Sequence, residues 1–451
     1  MTDKLITLEP TVISLYENRK YNTLKDILVT LNPADISFLL EKLPEHALPI
    51  LFRLLPKEVA AETFVEMESD FQEILIKSFS DAELKEVLNE LYVDDTVDII
   101  EEMPANVVKR ILSQTDPQTR KEINVILRYP EDSAGSIMTT EFVELKADMT
   151  IKVALDHIRK TATEKETINV CYVTDKSRHL VGFLSLRTII LSKDDALIGD
   201  LMDSNVISVG TLEDQEKVAE YFDKYDFIVI PVVDKDNRLV GIVTVDDALD
   251  VLKEEATEDI SKIAAITPSD KPYLKTSVFE IFKGRIPWLL LLMISSTFTG
   301  MIITHFEDAL AAQVTLTAFI PMLMGTGGNS GSQSSVTVIR SLSLNELDFK
   351  DIAYVVWKEI RVAVLCGLTL AICNYPKLLI VDRVTSSIAI VICVALAFTV
   401  FVAKLVGCTL PMIAKKIGFD PTVMASPLIT TIVDAISLLI YFAVATSILG
   451  L

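Results

Sequence analysis

The sequence predicts a multi-domain protein: an α-helical soluble portion, an α/β portion and a helical membrane-spanning portion with five helices. Three observations carry this expectation. Charge is unevenly divided: of 451 residues with a formal net charge of −21, residues 1–283 hold 32 Lys+Arg against 54 Asp+Glu, and residues 284–451 hold 10 against 9. Apolar residues at helical spacing give way near residue 131 to short β-branched runs alternating with amphipathic stretches. Beyond residue 284, apolar segments long enough to cross hydrocarbon follow one another.

Residues 1–130 read as helices joined by turns containing Pro or Asp. LNPADISFLLEKLPEHALPILFRLL (31–55) and LYVDDTVDIIEEMPANVVKRILSQT (91–115) repeat one unit, with Leu31/Leu91, Asp35/Asp95, Glu41/Glu101 and Pro44/Pro104 in register. A helical unit ended by Pro cannot bury its apolar face alone, so stacked units forming an α-helical superhelix are expected. In residues 131–252, NVCYVTD, HLVGFLSL, FIVIPVVD and RLVGIVTV are predicted strands. A second repeat pairs SIMTTEFVELKADMTIKVALDHI (136–158) with DLMDSNVISVGTLEDQEKVAEYF (200–222), and LVGFLSLRTIIL (180–191) with LVGIVTVDDALDVL (239–252). This pattern resembles a tandem pair of CBS domains, modules that join into a flat regulatory unit, often with an adenine-nucleotide cleft. Residues 253–283 predict a charged connecting helix and a Pro-containing linker into the membrane portion, residues 284–451.

Spanning segments are expected near 286–305, 311–340, 360–381, 386–413 and 423–449. The second and fourth are too long for lipid throughout, so each must protrude or break. The N-terminus lacks the apolar core of a secretory signal, which places it in the cytosol. Lys283, Arg285, Arg340, Lys350, Lys358, Arg361, Lys415 and Lys416 then flank the inner side, whereas the outer loops hold Lys377 and Arg383. That bias matches the positive-inside rule and puts Leu451 outside. Lys404, within the fourth segment, is expected to snorkel toward the inner face. The acidic balance gives no footprint for nucleic acid. Cys171, Cys366, Cys373, Cys393 and Cys408 show no disulfide or zinc spacing. No nucleophile–base pair or phosphate loop points to an enzyme.

Two strings carry chemistry. In PTVMASPLITTIVDAISLLIYFAVATSILGL (421–451), Asp434 is the only residue charged at neutral pH. A carboxylate at membrane depth is costly unless it meets water, a cation or a partner. Ser426, Thr430, Asp434, Ser437 and Tyr441 recur at steps of three or four, predicting one polar face. The other string is FIPMLMGTGGNSGSQSSVTVIRSL (319–342), where Pro321 and four glycines crowd among amides and hydroxyls. It predicts backbone unwound around a polar cavity, with Gly327 and Gly331 also permitting close helix approach.

With GRIPWLLLLMISSTFTGMIITHFEDAL, FIPMLMGTGGNSGSQSS, WKEIRVAVLCGLTLA and FDPTVMASPLITTIVDAISLLIYF, the chain resembles the MgtE family of magnesium channels along its whole length. The resemblance implies a homodimer in membrane lipid, with the pore on the two-fold axis between the second and fifth spanning helices. It also implies that Asp434 from both subunits binds Mg²⁺. Mg²⁺ sheds water reluctantly and prefers six oxygens, so Thr430, Ser426, Asn329 and Gln333 are expected as water partners, and Gly328 as a backbone carbonyl contact. Glu307 and Asp308 in the outer loop would gather cations at the entrance.

In the soluble half, Asp247, Asp250, Glu254, Glu255, Glu258 and Asp259 crowd into DDALDVLKEEATEDI. Composition alone reads this as a solvated face. The resemblance implies cytosolic Mg²⁺ sensing instead, with Glu58, Asp94, Asp95, Glu216, Asp226 and Asp420 as further partners. These acids would repel when Mg²⁺ is scarce and be bridged when it is plentiful, closing the pore. GIVTVDD offers Asp247 for the ribose of ATP or another adenine nucleotide, whereas GFLSLRT has Thr188 there. Two alternatives stand beside a magnesium channel: a broader carrier of Co²⁺, Ni²⁺ or Zn²⁺, and a non-conducting membrane-tethered CBS sensor.

Overall fold

The computed structural model describes residues 3–269, 273–274, 276–424 and 426–450. It divides into two compact units, residues Met1–Leu252 and Lys253–Leu451.

The first unit begins with ten helices, from Asp3–Glu17 to Pro117–Ile126. The repeat read in the sequence appears as Pro33–Glu41 followed by Leu48–Phe52, and Val93–Glu102 followed by Ala105–Gln114. Pro104 sits at the N-cap of the last of these, where its missing N–H costs nothing. Leu24, Leu28, Leu39, Leu48, Phe64, Leu75, Val97 and Ile111 are buried along one continuous core.

Two three-stranded sheets follow, β1 (Val143–Lys146), β2 (Val170–Thr174) and β3 (Leu180–Ser185), then β4 (Val209–Gly210), β5 (Val229–Val233) and β6 (Leu239–Thr244). In each sheet the first strand runs parallel to the second and the second antiparallel to the third. All four predicted strands are present; β1 and β4 are too short to show as runs in the sequence. Bridges between Thr139 and Ile242, and between Phe183 and Asp203, interlock the two copies. Gly182 and Gly241 are required at these crossings, since a Cβ would lie 2.8 Å from the Met202 sulfur or 2.6 Å from that of Met138.

The connecting helix starts earlier than predicted. It is one run, Val245–Ile263, beginning directly after β6. No Gly or Pro interrupts VDDALDVLKEEATEDISKI, so helix propensity carries it through residue 253.

The second unit holds five long helices among its described residues: Val278–His305, Ile320–Ser343, Ile352–Ile380, Ser386–Lys416 and Ser426–Leu449. By length and composition three are apolar enough to cross a membrane: the first, the fourth and, from Pro427, the fifth. The over-long second segment does break, but before the glycines. A short helix (Glu307–Ala312) and a 3₁₀ turn (Val314–Phe319) precede it, and the glycine-rich helix then runs unbroken from Ile320. The fourth stays continuous over 31 residues, with Pro411 inside it.

Candidate functional sites: an acidic pocket and a lone membrane carboxylate

The unwinding expected around Gly328 does not occur, because the glycines serve packing. A Cβ on Gly327 would meet Thr399 and Ser437 at 2.7 Å, and one on Gly331 would meet Ile429 at 2.9 Å. A Cβ on Gly407 would clash with the Gly331 carbonyl oxygen. The glycine-rich helix is thus clasped between the fourth and fifth helices, as the GxxxG spacing predicts. Gly328 is buried and faces Thr430, and its carbonyl belongs to a regular helix rather than an opened loop. On the other side of the same helix, Asn329 and Gln333 are exposed one turn apart.

The polar stripe of the fifth helix divides in two. Thr430 and Asp434 are half-buried, and the Thr430 hydroxyl donates to the Pro427 carbonyl at 2.9 Å. Ser437 and Tyr441 are fully buried, contrary to expectation. Ser437 packs over Gly327, and the Tyr441 hydroxyl donates to the Leu316 carbonyl at 2.9 Å, tying the 3₁₀ turn Val314–Phe319 to the bundle. A helical stripe this long drifts into the neighbouring helix, which claims its far end. The side chain of Ser426 lies outside the described residues. Glu307 and Asp308 are exposed in the first turn of the short helix Glu307–Ala312.

Lys404 does not snorkel. It is only 5% exposed, and its Nζ donates to Ser334 Oγ at 3.3 Å. That hydroxyl donates in turn to Glu359 Oε2 at 2.6 Å.

In the first unit, Asp94, Glu141 and Glu166 bring carboxylate oxygens within 4.8 Å of one another. Local structure explains the convergence. Glu141, two residues before β1, accepts from the Val93 backbone N–H at 3.1 Å, at the start of the helix carrying Asp94 and Asp95. The Glu166 N–H donates to the Glu141 carbonyl at 2.9 Å, holding the preceding loop in place. Asp247, which accepts from the Thr244 hydroxyl at 2.5 Å, lies close enough to Asp94 to perturb it. Burial, reinforced by neighbouring carboxylates, pushes Asp95 up to about 6, Glu141 and Asp247 to about 7, and Glu166 to about 8. Asp94 is raised well above its ordinary range for the same reasons. Glu166 Oε2 is buried with no hydrogen-bond partner.

Such a donor set fits a hard cation. Oxygens on opposite sides of one Mg²⁺ stand about 4.2 Å apart, twice its usual bond length. A 4.8 Å cluster therefore suits an ion that keeps some water or draws the carboxylates slightly inward. Glu141 and Glu166 were not found from sequence. One signal existed: Glu141 is an acid where the second copy of the repeat has Asn205.

The remaining acids do not join that group. Glu58, Glu216, Asp226 and Asp250 are exposed elsewhere on the first unit. In the second unit, Lys262 Nζ lies 2.8 Å from both Glu258 and Asp420. Burial works against its charge, yet those two carboxylates hold the ammonium firmly protonated. Asp259, partly buried beside Asp420, has its carboxyl raised by burial and by that neighbour. Glu254 and Glu255 lie one turn earlier on the connecting helix.

A helical soluble domain, a CBS pair and a membrane bundle whose fifth helix carries one half-buried acid are the parts of a membrane transport protein. Comparison with known proteins agrees. Residues 320–444 match the divalent cation transporter MgtE, 31–132 the MgtE intracellular N domain, and 134–193 and 198–254 the CBS domain. The chain belongs to the MgtE family. It is 38% identical over 430 residues to the magnesium transporter MgtE of Thermus thermophilus, covering 94% of each chain. With the Bacillus subtilis magnesium transporter MgtE it shares 34% identity, over 97% of this chain and 96% of that one. Among solved structures, it resembles the cytosolic domain of the Mg²⁺ channel MgtE in complex with ATP, at 37% identity and a TM-score of 0.50, over 53% of this chain and 99% of that one. The soluble part of a magnesium transporter matches with a TM-score of 0.52 and 33% identity, over 56% of this chain and 99% of that one.

Proposed function

We propose that this chain carries Mg²⁺ across the membrane into the cytosol as a homodimer, through a pathway centred on Asp434, and that cytosolic Mg²⁺ closes it. Asp434 carries the transport reading: it is the only charged side chain of the fifth helix, and it is half-buried rather than sealed in the bundle. Two such acids on a two-fold axis give −2, matching one hydrated dication. A larger charge would hold the ion too tightly for release. Thr430, Ser426, Asn329 and Gln333 would then hold its water, with Glu307 and Asp308 at the outer mouth. Oxygen-only donors disfavour Co²⁺, Ni²⁺ and Zn²⁺ as preferred cargo. The test is Mg²⁺ uptake by a magnesium-auxotrophic host. Growth restored equally by the wild type and Asp434→Ala removes Asp434 from the mechanism, and a chain without flux in liposomes is the tethered sensor instead.

For closure, the supporting observation is the convergence of Asp94, Glu141 and Glu166 with an unpartnered oxygen on Glu166. Asp95 and Asp247 add charge, and Glu58, Glu216, Asp226, Asp250, Glu254, Glu255, Glu258, Asp259 and Asp420 supply further acids. Two like unit charges 4 Å apart repel by about 4 kcal/mol at an effective dielectric near 20. A few such pairs exceed the roughly 5.5 kcal/mol that swings a two-state equilibrium almost fully. Millimolar Mg²⁺ should protect residues 1–283 from protease, and unchanged cleavage would refute closure by this route. The CBS pair is proposed to bind ATP. Because Asp247 sits among carboxylates that repel a triphosphate, the neutral Thr188 cleft is favoured over the Asp247 cleft. Loss of ATP binding in Asp247→Ala, with Thr188→Asp unaffected, would reverse that assignment.

A further inference from the structure

Lys404 places a full positive charge inside the membrane bundle, beside the helices proposed to line the pathway. Its neighbour Ala403 packs with Ile429 and Val433 of the fifth helix, and Val433 immediately precedes Asp434. A buried ammonium survives only with compensation. Here the compensation is a relay across three helices: Lys404 Nζ to Ser334 Oγ at 3.3 Å, and Ser334 Oγ to Glu359 Oε2 at 2.6 Å. Ammonium and carboxylate stand 3.9 Å apart, with side-chain exposures of 6% and 15%. Ser334 therefore acts as both acceptor and donor, which fixes its rotamer and the rotation of the glycine-rich helix. At about 100° per residue, Ser334 lies about 140° around that helix from Asn329. Anchoring one face sets where the exposed amides of Asn329 and Gln333 point.

We infer that the Lys404–Ser334–Glu359 relay is a positioning device for transport: it holds the glycine-rich helix in register and cancels the Lys404 charge that a passing cation would otherwise feel. The inference rests on the proposed pathway. Without Glu359 the ammonium is bare and repels the cargo; without Lys404 the carboxylate is bare and attracts it.

Mg²⁺ uptake into liposomes containing the full chain tests this, with maximal rate and half-saturating Mg²⁺ read separately. Glu359→Gln should raise the half-saturating concentration about tenfold, and Lys404→Met should lower it about threefold, as expected when a buried charge loses its partner. The double variant should restore half-saturation yet keep a reduced maximal rate, because Ser334 is no longer anchored. A purely structural pair would shift both single variants in the same direction, which overturns the charge role. A double variant with the wild-type maximal rate overturns the positioning role, and it is informative even where the single variants fail to reach the membrane. Asp434→Asn is run alongside. If it transports normally, the pathway itself is wrong; if it is inactive while the single variants do not diverge, the relay alone is wrong.

Discussion

Asp434 and the Asp94–Glu141–Glu166 cluster are both acid sites, but one is a single carboxylate in an apolar helix and the other several carboxylates crowded together. On the proposed function, the difference separates passing from holding. A lone acid attracts a hydrated cation without stripping it, so the ion can leave. Crowded acids with a buried unpaired oxygen gain most when an ion stays. A third arrangement lies between them: Glu258 and Asp420 share the ammonium of Lys262 and so carry their own cation.

The largest expected effect tests the proposed pathway at Asp434. Asp434→Ala should reduce Mg²⁺ uptake at least about a hundredfold, and Asp434→Asn nearly as much, because charge rather than shape attracts the ion, and each tenfold corresponds to about 1.4 kcal/mol. Next is Glu166→Gln, which removes the unpartnered oxygen's charge. Above about pH 8, where Glu166 is ionised, it should raise the Mg²⁺ needed for half-maximal protease protection about tenfold, and it should stabilise the metal-free protein by relieving repulsion.

pH sharpens the same contrast. The cluster's folded-state values lie above the ordinary carboxylate range near 4, so the folded protein holds protons that the unfolded chain has released. Without divalent ions, resistance of residues 1–252 to protease should therefore fall as pH rises from about 4 to about 8, and Mg²⁺ should restore more of it at the upper end. Resistance that climbs with pH would contradict the crowding. The smallest effect is at the self-neutralised acids. Lys262→Gln should tighten Mg²⁺-dependent protection about threefold, since a charge pair at a partly exposed site is worth about 1 kcal/mol or less.

Much of the architecture was legible because it is written in local patterns. Both repeats, the four longer strands, the GxxxG crossing and the isolation of Asp434 follow from spacing alone. What escaped were long-range contacts. Lys404 reads as a residue that snorkels because one helix in lipid has nowhere else to send an ammonium; Ser334 and Glu359, 70 and 45 positions away, provide somewhere. Tyr441 extends a polar stripe in sequence but reaches the Leu316 carbonyl in space. Gly328 sits in a string that looks unwound, yet close packing against Thr430 uses the same absence of a side chain. Glu141 and Glu166 carry no motif, and only the helix start at Val93 and the Glu166–Glu141 backbone bond bring them to Asp94.

The sequence by itself determined the division into acidic soluble and apolar portions and the repeats, since these depend on hydropathy and periodicity within short windows, and its motif strings carried the family resemblance. Only the tertiary structure decided which acids meet, which charges are already paired and which face of each helix stays open. Coulomb and hydrogen-bond energies depend on distances between residues far apart in the chain, and those distances exist only after folding.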